Sequence, residues 1–476
     1  MYDVKDIKDL DFFRGKRCDV LGIGISNLPL IRLLCEAGAV VVARDKKDRE
    51  KLGATADELE NKGVKLILGE KYLDGIDTDV IFRSPGIRPD IPEIRSALDT
   101  GAMMTSEMEL FCALTKAKKI AVTGSDGKTT TTTLTHLFLK THLDRIGGGR
   151  AFVGGNIGTP LLSEYDKMTE SDYAVLELSS FQLMDMSPSP MRAAITNITP
   201  NHLNWHTDME EYIGAKLHVF SSDTELVLNA DNDITASIAA RCGNRVMLFS
   251  STKSGFSEIA KGIDNCFCAL YIKDCYIVCS DGVSEERILY IPDILIPGKH
   301  NVENYMTAIA LTWGLVDRSV YTEIASSFGG VEHRLEFVRE LGGVKYYNSS
   351  IDSSPTRTAA ALSALEGPKV VICGGYDKGL DYAPLADALC QHARCVVLTG
   401  ATANKIKQAI LSCELYSKSD LVVVESEDLA DAVKKASITA KSGESVLLSP
   451  ASASFDAFAN FEERGRVFKN LVLQLS

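Results

Sequence analysis

The sequence predicts an α/β protein of three domains, in which short apolar strands alternate with helices. Its 476 residues suffice for three domains at about 150 residues each. Apolar runs of three to six residues, each followed by a glycine-rich or polar turn and then a helix, recur along the chain. We place the domains at residues 1–113, 114–330 and 331–476, as a Rossmann-like domain, a P-loop-type domain and a second Rossmann-like domain.

The first domain begins with a βαβ pattern typical of nucleotide binding. The apolar strand at residues 18–25 leads into Gly22 and Gly24, and LPLIRLLCEAG then has helical spacing. A second strand ends at Asp45, which is placed to meet a ribose or base. The third position of the GxGxxG pattern is Asn27, where a dinucleotide site needs glycine. We therefore favour another nucleotide, with NAD or FAD and a purely structural turn as alternatives. The turn residues are Ile25, Ser26 and Asn27.

A second turn in this domain follows the apolar run VIF. Ser84, Pro85 and Gly86 stand just past that strand. Ligands of parallel sheets lie at the carboxyl ends of strands. The tripeptide is therefore a candidate binding loop, although a plain strand-ending turn is the alternative.

The central motif is KKIAVTGSDGKTTTT at residues 118–132. A short strand, a glycine-rich turn and a helix start are expected to hold a nucleotide phosphate on backbone N–H groups and the helix N-terminus. Lys128 would reach the terminal phosphates and Thr129 would hold Mg²⁺. The pattern is a shortened GxxGKT, and a turn with an incidental lysine is the alternative. The candidate ATP residues here are Gly124, Ser125, Asp126, Gly127, Lys128, Thr129 and Thr130.

Further polar residues follow in the same domain. Glu177 ends the buried strand YAVLEL, where an acid is costly unless it is paired or binds a metal. A second Mg²⁺ anchor is favoured, and a salt bridge is the alternative. Asn156, in the turn GGNIG, is suited to side-chain hydrogen bonding.

The next candidates are ambiguous by pattern alone. His202 and His206 lie in a polar turn after a strand, and either could be a structural histidine. Lys216 lies on an amphipathic helix, where a solvated surface residue is the default. Asn301 and Asn304, in the first turn of the helix in PGKHNVENYMTAIAL, could cap that helix or read an adenine edge.

The third domain again alternates strands and helices, and at least four strands predict a parallel sheet with ligands at the strand ends. Lys378 and Ser454 follow apolar strands, and Arg334 stands at the domain junction.

Composition excludes several classes of protein. No stretch approaches the roughly 20 apolar residues that span a bilayer, and the acidic start resembles no signal peptide. A net charge of -13 argues against non-specific binding to nucleic acid or membrane surfaces. The twelve cysteines lack the spacing of a common zinc site, so we expect free thiols in a cytoplasmic protein.

Nine ordered motifs together resemble the Mur ligases over essentially the whole chain. They are GSDGKTT, GGNIG, LELSSFQL, TNITPNHLNWH, the Lys216 helix, PGKHNVEN, EHRLE, GGYDKG and SPASASFDAFANFEERG. The resemblance implies a UDP-binding domain, an ATPase domain and an amino-acid-binding domain. It further implies ATP-driven addition of D-glutamate to UDP-N-acetylmuramoyl-L-alanine through an acyl phosphate, in cytoplasmic peptidoglycan precursor synthesis by a monomer.

The resemblance also assigns roles to residues. Lys128, His202 and Lys216 would be catalytic, and Lys216 would be carboxylated by CO₂. Two Mg²⁺ ions would be held by Thr129, Glu177, His202 and Lys216. Asn301, Asn304 and Arg334 would contact ATP. The UDP-substrate would contact Ile25, Ser26, Asn27, Asp45, Ser84, Pro85, Gly86 and Asn156. D-Glutamate would contact Ser353, Lys378, Ser454 and Phe461.

Three positions depart from the family pattern. Ser349 replaces an acid expected near the ATP ribose, Asp352 replaces an alanine, and Asn204 replaces an aspartate. The alternatives are a ligase for another amino acid, a folylpolyglutamate synthase, and a nucleotide-binding protein without turnover. The absence of a D-N-P-R segment argues against the diaminopimelate-adding ligase, and the Rossmann-like first domain argues against the folate enzyme.

Overall fold

The computed structural model describes residue 4 and residues 7–476, and it confirms the α/β prediction with three separate sheets. The chain forms two compact units. One contains the residues up to Ile291 together with Val302–Ile324, and the other contains Pro292–Asn301 with Ala325–Ser476. The three-domain boundaries stay a prediction.

The first sheet has five parallel strands in the order β3-β2-β1-β4-β5. This order puts the carboxyl ends of β1 and β4 side by side, at the point where the strand order reverses and ligands of such sheets bind. The βαβ prediction is thereby confirmed. The strands are β1 Arg17–Leu21, β2 Val40–Asp45, β3 Lys65–Leu68, β4 Val80–Arg83 and β5 Met103–Thr105. The helices are α1 Asn27–Glu36, α2 Arg49–Leu52, α3 Ala54–Asn61, α4 Pro92–Asp99 and α5 Glu107–Leu114, with a 3-10 turn at Leu10–Phe13.

The second sheet has nine strands in the order β14-β13-β12-β11-β10-β9-β6-β8-β7. β13 is antiparallel to both of its neighbours, β12 and β14, and all the other neighbouring pairs in this sheet are parallel. The strands are β6 Lys118–Thr123, β7 Ala151–Gly155, β8 Tyr173–Glu177, β9 Arg192–Ile195, β10 Glu225–Asn229, β11 Val246–Ser250, β12 Cys266–Lys273, β13 Tyr276–Ser280 and β14 Glu285–Tyr290. The helices are α6 Lys128–Ile146, α7 Met209–Leu217, α8 Asp233–Arg241, α9 Phe256–Ile259, α10 Lys299–Thr312 and α11 Ser319–Ala325, with 3-10 turns at Leu161–Lys167 and Ile291–Asp293.

The position of β6 in this sheet determines where the site forms. The strand lies between β8 and β9, with Val122 opposite both Glu177 and Ala194. Strands buried on both faces read as continuous apolar runs, which is why IAV was recognisable. The loop after β6 therefore opens beside the carboxyl ends of β8 and β9.

The third sheet has six strands in the order β15-β16-β20-β17-β18-β19, with only β15 antiparallel to its neighbour. Its last strand in sequence, β20, is inserted between β16 and β17. The strands are β15 Glu336–Leu341, β16 Val344–Asn348, β17 Lys369–Cys373, β18 Cys395–Leu398, β19 Val422–Glu425 and β20 Ser445–Leu448. The helices are α12 Pro355–Ala364, α13 Ala383–His392, α14 Ala403–Ser412, α15 Leu429–Thr439 and α16 Phe461–Gln474, with a 3-10 turn at Tyr416–Lys418.

The cysteines and the helix lengths bear on two smaller expectations. All twelve cysteines are free thiols, as predicted. Within residue 4 and residues 7–476, no helix combines the length and the apolar character that a bilayer crossing requires.

Candidate active site

The loop between β6 and α6 has the backbone of a phosphate-binding turn. Gly124 has φ 145° and Gly127 has φ 77°, and Gly127 immediately precedes the first residue of α6. A Cβ at Gly124 would collide with the Thr196 hydroxyl, and one at Gly127 would collide with the Asn304 side chain. Only glycine fits at either position, so the loop can present its N–H groups at a helix N-terminus, where an anion is stabilised.

Neighbouring segments fix this loop from outside. The Asp126 N–H donates to Asn197 Oδ1 at 3.0 Å, and the Thr196 hydroxyl donates to the Asp126 carbonyl at 2.6 Å. The Ser125 and Tyr212 hydroxyls are 2.8 Å apart. Thr196, Asn197 and Tyr212 were missed by sequence reasoning. The polar run TNITP directly after a buried strand was a signal for the first two.

Lys128 and Lys216 converge on the loop. Lys128 Nζ donates to the carbonyls of Gly124 at 3.1 Å and Ser125 at 2.9 Å, and Lys216 Nζ donates to the same Gly124 carbonyl at 2.8 Å. Lys216 is 1% exposed, so the expectation of a solvated surface residue was wrong. Its helix packs this face against the phosphate loop. Burial, aided by the Lys128 charge, lowers the pKa of Lys216 to about 7.

Glu177 brings a buried carboxylate to the same edge of the sheet. Its Oε1 accepts from Asn156 Nδ2 at 2.9 Å, and its Oε2 has no hydrogen-bond partner in the part of the chain that the structure describes. No salt bridge of Glu177 is found among those residues either. A buried, partnerless carboxylate oxygen is costly on its own and is the oxygen donor that Mg²⁺ prefers. Asn156, predicted to contact substrate, orients this carboxylate.

The two histidines have different environments. His202 is exposed, with φ 56°, and its pKa is lowered by burial of part of its ring and by the charges of Lys128 and Lys216. His206 is 2% exposed, with Nδ1 3.1 Å from Glu211 Oε2 and Nε2 2.9 Å from the Ser180 hydroxyl. The structural alternative therefore fits His206. Neither histidine lies on a helix, since both precede α7 in a turn.

The predicted magnesium ligands combine unlike donors. Among the residues described, no three His, Cys, Asp or Glu side chains are grouped to hold a metal ion. The predicted set contains two residues of these types, Glu177 and His202, and adds the hydroxyl of Thr129 in the first turn of α6. Lys216 would become an oxygen donor only after carboxylation. The Oε2 of Glu177, which has no partner among the described residues, is an oxygen donor of the kind that a hard cation prefers.

The turns after β1 and β4 share a cavity of about 110 Å³. Asn27 Nδ2 links them by donating to the Gly22 carbonyl at 2.9 Å and to the Ser84 hydroxyl at 3.0 Å. A Cβ at Gly22 would lie 2.5 Å from that hydroxyl, which explains the glycine. The lining residues are Gly24, Ile25, Ser26, Asn27, Arg83, Ser84, Pro85, Ser106, Glu107, Met108 and Gln182.

Three predicted UDP contacts, Asp45, Gly86 and Asn156, do not line this cavity. The Asp45 carboxylate accepts the Ile23 N–H at 2.6 Å and the Lys47 N–H at 2.8 Å. It thus braces the turn between β1 and α1. The prediction that it contacts UDP stays a prediction.

Glu107, at the start of α5, is an unpredicted acid in the cavity wall. It is 6% exposed, its Oε1 has no partner among the described residues, and burial raises its pKa to about 7. A lone Glu after Thr-Ser belongs to no motif, so its burial could not be predicted from the sequence.

The Glu107→Gln variant is expected to be more stable than the parent at pH 8.5 and nearly equal at pH 5. The folded-state pKa lies above the unfolded value of about 4.5. The native state therefore retains a proton that the unfolded chain loses, so the stability from this group is complete below pH 4.5 and is lost as the pH rises through 7. The gain at pH 8.5 should be roughly 1–3 kcal/mol. Urea unfolding at both pH values measures it. Glu170→Gln, at an exposed position, is the control. An equal effect of Glu107→Gln at both pH values would contradict the account.

The three remaining residues predicted to contact ATP have different surroundings. Asn304 lies against the phosphate loop, where its Oδ1 accepts from the Thr131 hydroxyl at 3.3 Å. Asn301 Nδ2 donates to the Pro297 carbonyl at 2.6 Å and so fixes the turn before α10. Arg334 is exposed in the second unit, beside the buried His333.

The predicted D-glutamate residues lie at the carboxyl ends of three adjacent strands of the third sheet. Ser353 follows β16, Lys378 follows β17 and Ser454 follows β20. Phe461 begins α16, and its ring meets His333 edge-on at 6.0 Å. Lys378 is exposed, with Nζ 5.7 Å from the centre of the Phe455 ring.

Arg464, missed by sequence reasoning, ties these loops together. It is 3% exposed and donates to the carbonyls of Ser350 at 2.8 Å, Ser452 at 3.1 Å and Ala453 at 3.0 Å. The loop that carries Ser454 is thereby held against the loop after β16. Its role depends on contacts distant in sequence, so local patterns did not reveal it.

Ser349 and Asp352, which depart from the family pattern, form hydrogen bonds within the third domain. The Ser349 hydroxyl accepts the Leu335 N–H at 3.1 Å. The Asp352 carboxyl accepts from the Ser449 hydroxyl at 2.7 Å, and burial raises its pKa to about 6. Asp352 is thus engaged with the end of β20.

Comparisons with known proteins agree with this architecture. Residues 122–312 match the family model described as Mur ligase middle domain, and residues 333–452 match that described as Mur ligase, glutamate ligase domain. A structure of a pseudomurein peptide ligase type C from Methanothermus fervidus aligns with a TM-score of 0.50 at 17% identity, over 97% of this chain and 100% of that one. It shows a shared fold.

Closer relatives carry the name UDP-N-acetylmuramoylalanine–D-glutamate ligase. The protein of Acetivibrio thermocellus is 46% identical over 465 residues, covering 96% of each chain. That of Ruminiclostridium cellulolyticum is 45% identical over 477 residues, covering 99% of this chain and 98% of the relative. That of Clostridium kluyveri is 46% identical over 465 residues and 97% of each chain. With such identities along nearly the full length of both partners, this chain belongs to the Mur ligase family.

Proposed function

We propose that the protein is an ATP-dependent ligase that joins D-glutamate to UDP-N-acetylmuramoyl-L-alanine in cytoplasmic peptidoglycan precursor synthesis. The observation that carries the reaction class is the convergence of Lys128 and Lys216 on the Gly124 carbonyl of the phosphate loop. The relatives that share 44–46% identity over nearly the whole chain support the choice of substrates. We further propose that the active form is a monomer.

ATP would activate the substrate carboxylate, because a carboxylate is a poor acyl donor. The carboxylate of the L-alanyl group would attack the γ-phosphorus of ATP and release ADP, which gives an acyl phosphate. The D-glutamate amine would then attack the acyl carbon and form a tetrahedral intermediate. Loss of phosphate and of one amine proton would complete the amide bond.

Side chains and backbone N–H groups of this protein are suited to bind the negative charge of ATP and the acyl phosphate. Lys128 and the N–H groups at the start of α6 would bind the terminal phosphates. Thr129 and Glu177 would hold one Mg²⁺, and His202 with carboxylated Lys216 would hold a second. When bound, these ions would neutralise the phosphate oxygens and favour phosphoryl transfer. Asn156 would keep the Glu177 carboxylate oriented by its 2.9 Å hydrogen bond.

Lys216 has the properties required for carboxylation. CO₂ reacts with a neutral amine, and with a pKa of about 7 a large share of this side chain is neutral near physiological pH. The 2.8 Å hydrogen bond to the Gly124 carbonyl fixes the nitrogen beside the phosphate loop. Carboxylation would convert a nitrogen cation into an anionic oxygen ligand, which also removes the repulsion from Lys128.

The two other substrates would use the ends of the first and third sheets. The UDP moiety would bind at the cavity lined by Ile25, Ser26, Asn27, Ser84 and Pro85, with Asp45, Gly86 and Asn156 as further contacts. Lys378 would attract a D-glutamate carboxylate, and Ser353, Ser454 and Phe461 would orient it. Asn301, Asn304 and Arg334 would contact ATP.

Transfer of ¹⁸O tests the proposed chemistry directly. UDP-N-acetylmuramoyl-L-alanine labelled with ¹⁸O in its carboxylate is incubated with ATP, Mg²⁺ and D-glutamate, and the released phosphate is analysed by mass spectrometry. We expect one ¹⁸O atom per phosphate, because the attacking carboxylate oxygen leaves with phosphorus. Amide product accompanied by unlabelled phosphate would contradict the acyl-phosphate route.

A further inference from the structure

We propose that Arg88 is a positioning residue that couples the loop at Ser84–Gly86 to the turn that carries His202. This inference rests on the proposed function, in which the first loop binds the UDP-substrate and His202 acts at the phosphates. Arg88 would transmit occupancy of one loop to the geometry of the other.

The guanidinium of Arg88 donates hydrogen bonds to three residues at once. Nη1 donates to the Trp205 carbonyl at 2.6 Å, and Nη2 donates to Glu211 Oε1 at 2.8 Å. Nε and Nη2 also donate to the two oxygens of Asp90, at 2.8 and 2.9 Å. The side chain is 22% exposed, and its planar fork is what allows this simultaneous contact. Arg88 thus joins its own loop, the His202 turn and α7.

Direct contacts also link the two segments. Arg88 stands two residues after Gly86, whose carbonyl lies 3.5 Å from the Trp205 indole nitrogen. The Arg88 guanidinium lies 5.0 Å from the centre of the Trp205 ring. Both contacts place Trp205 at the junction of the two segments.

Glu211 holds the far end of the turn. Its Oε2 accepts the Thr207 N–H at 2.9 Å and lies 3.1 Å from His206 Nδ1. The pairing with Arg88 keeps the pKa of Glu211 low, at about 2, so the carboxylate stays charged. Glu211 also belongs to α7, the helix that carries Lys216.

The backbone of His202 depends on this support. Its φ of 56° is a left-handed conformation that a residue with a Cβ rarely adopts. The Trp205 and His206 N–H groups hold its carbonyl at 2.9 and 3.0 Å. Such a conformation persists when its surroundings fix it. Arg88, which fixes the carbonyl of Trp205, is therefore placed to hold His202 in position.

The fluorescence of Trp205 can report this coupling. The protein has two tryptophans, so Trp313→Phe leaves Trp205 as the single reporter. Acrylamide quenching is measured with and without UDP-N-acetylmuramoyl-L-alanine, at ten times the Kd that calorimetry gives for each variant. We expect the substrate to lower the quenching constant at least twofold in the Trp313→Phe parent, and by less than a fifth when Arg88→Ala is added.

Two further variants control this experiment. Arg95→Ala removes an exposed arginine 3.9 Å from Asp90 and should respond as the parent does. Arg88→Lys keeps the charge without the fork, and we expect an intermediate response, which also covers the case in which Arg88→Ala does not fold. A parental response in both Arg88 variants would overturn the proposal. So would complete loss of substrate binding in folded Arg88 variants, because Arg88 would then be a binding residue.

Kinetics separate this inference from the proposed function. We expect Arg88→Ala to lower kcat about tenfold in the parent but less than twofold in a His202→Ala background, because both changes disturb the same group. If the reductions in kcat caused by Arg88→Ala and His202→Ala multiply in the double variant, the coupling is contradicted and the ligase proposal is unaffected. A parental kcat for His202→Ala alone would instead overturn the role of His202 in the proposed function.

Discussion

Replacing Lys216 by alanine is expected to lower kcat for ligation on the order of 10³-fold, the size of losing one preorganised charge-stabilising group at a reacting phosphate. The side chain is buried against the Gly124 carbonyl, and Lys128, the other lysine on that carbonyl, is already engaged with the phosphate loop. The variant should recover part of its rate when acetate or another short carboxylic acid fills the vacated space. Lys140→Ala, at an exposed position on α6, is the matched control and should retain the parental rate. A parental rate for Lys216→Ala would refute the assignment.

Carboxylation of Lys216 should depend on pH and on CO₂. The pKa of about 7 means that the reactive neutral amine becomes abundant as the pH rises from 6 to 8. Enzyme depleted of CO₂ should therefore regain activity on addition of bicarbonate, and a ¹³C carbamate signal should appear in the parent but not in Lys216→Ala. Equal spectra for the two proteins would rule out carboxylation at this residue.

The Glu177→Gln variant is expected to lose activity by about 10²–10³-fold while its stability is kept or increased. The substitution preserves shape but removes the anionic charge of a side chain that is 1% exposed and has a partnerless Oε2. If Glu177 binds a metal ion, it should be essential for catalysis and should not stabilise the fold. Loss of stability with retained activity would point instead to a structural role.

Magnesium dependence gives this prediction a second readout. Phosphate release is measured against Mg²⁺ concentration for the parent, Glu177→Gln and the exposed control Glu170→Gln. We expect the Mg²⁺ concentration for half-maximal rate to rise at least tenfold only in Glu177→Gln. An unchanged requirement would exclude Glu177 as an ion ligand.

Features encoded by local sequence were predictable. The phosphate loop combines a strand, glycines with positive φ and a helix start within one short segment. It can therefore be recognised from consecutive residues in the sequence. The alternation of strands and helices likewise predicted the α/β sheets. In each case the residues that define the feature are neighbours in the chain.

Features that depend on distant contacts were not predictable by pattern. The periodicity of α7 could not show that Lys216 packs against the phosphate loop rather than facing water. Arg88 and Glu107 lie in none of the motifs, and Arg464 lies in one, SPASASFDAFANFEERG, that assigned it no role. The contacts of Arg88 and Arg464 reach residues up to 123 positions away in the chain. Asp45 lies at a motif position, but the motif did not predict that its carboxylate accepts the Ile23 N–H and braces the turn.

Phosphate release from ATP tests the central claim most directly. The assay contains UDP-N-acetylmuramoyl-L-alanine and, in separate reactions, D-glutamate, L-glutamate, D-aspartate, L-lysine or diaminopimelate. The account predicts sustained release only when the UDP-substrate and D-glutamate are both present, with one phosphate per amide formed. Release with another amino acid in place of D-glutamate would contradict the proposed specificity of Lys378, Ser454 and Phe461. ATP binding without release under any condition would contradict the ligase function itself.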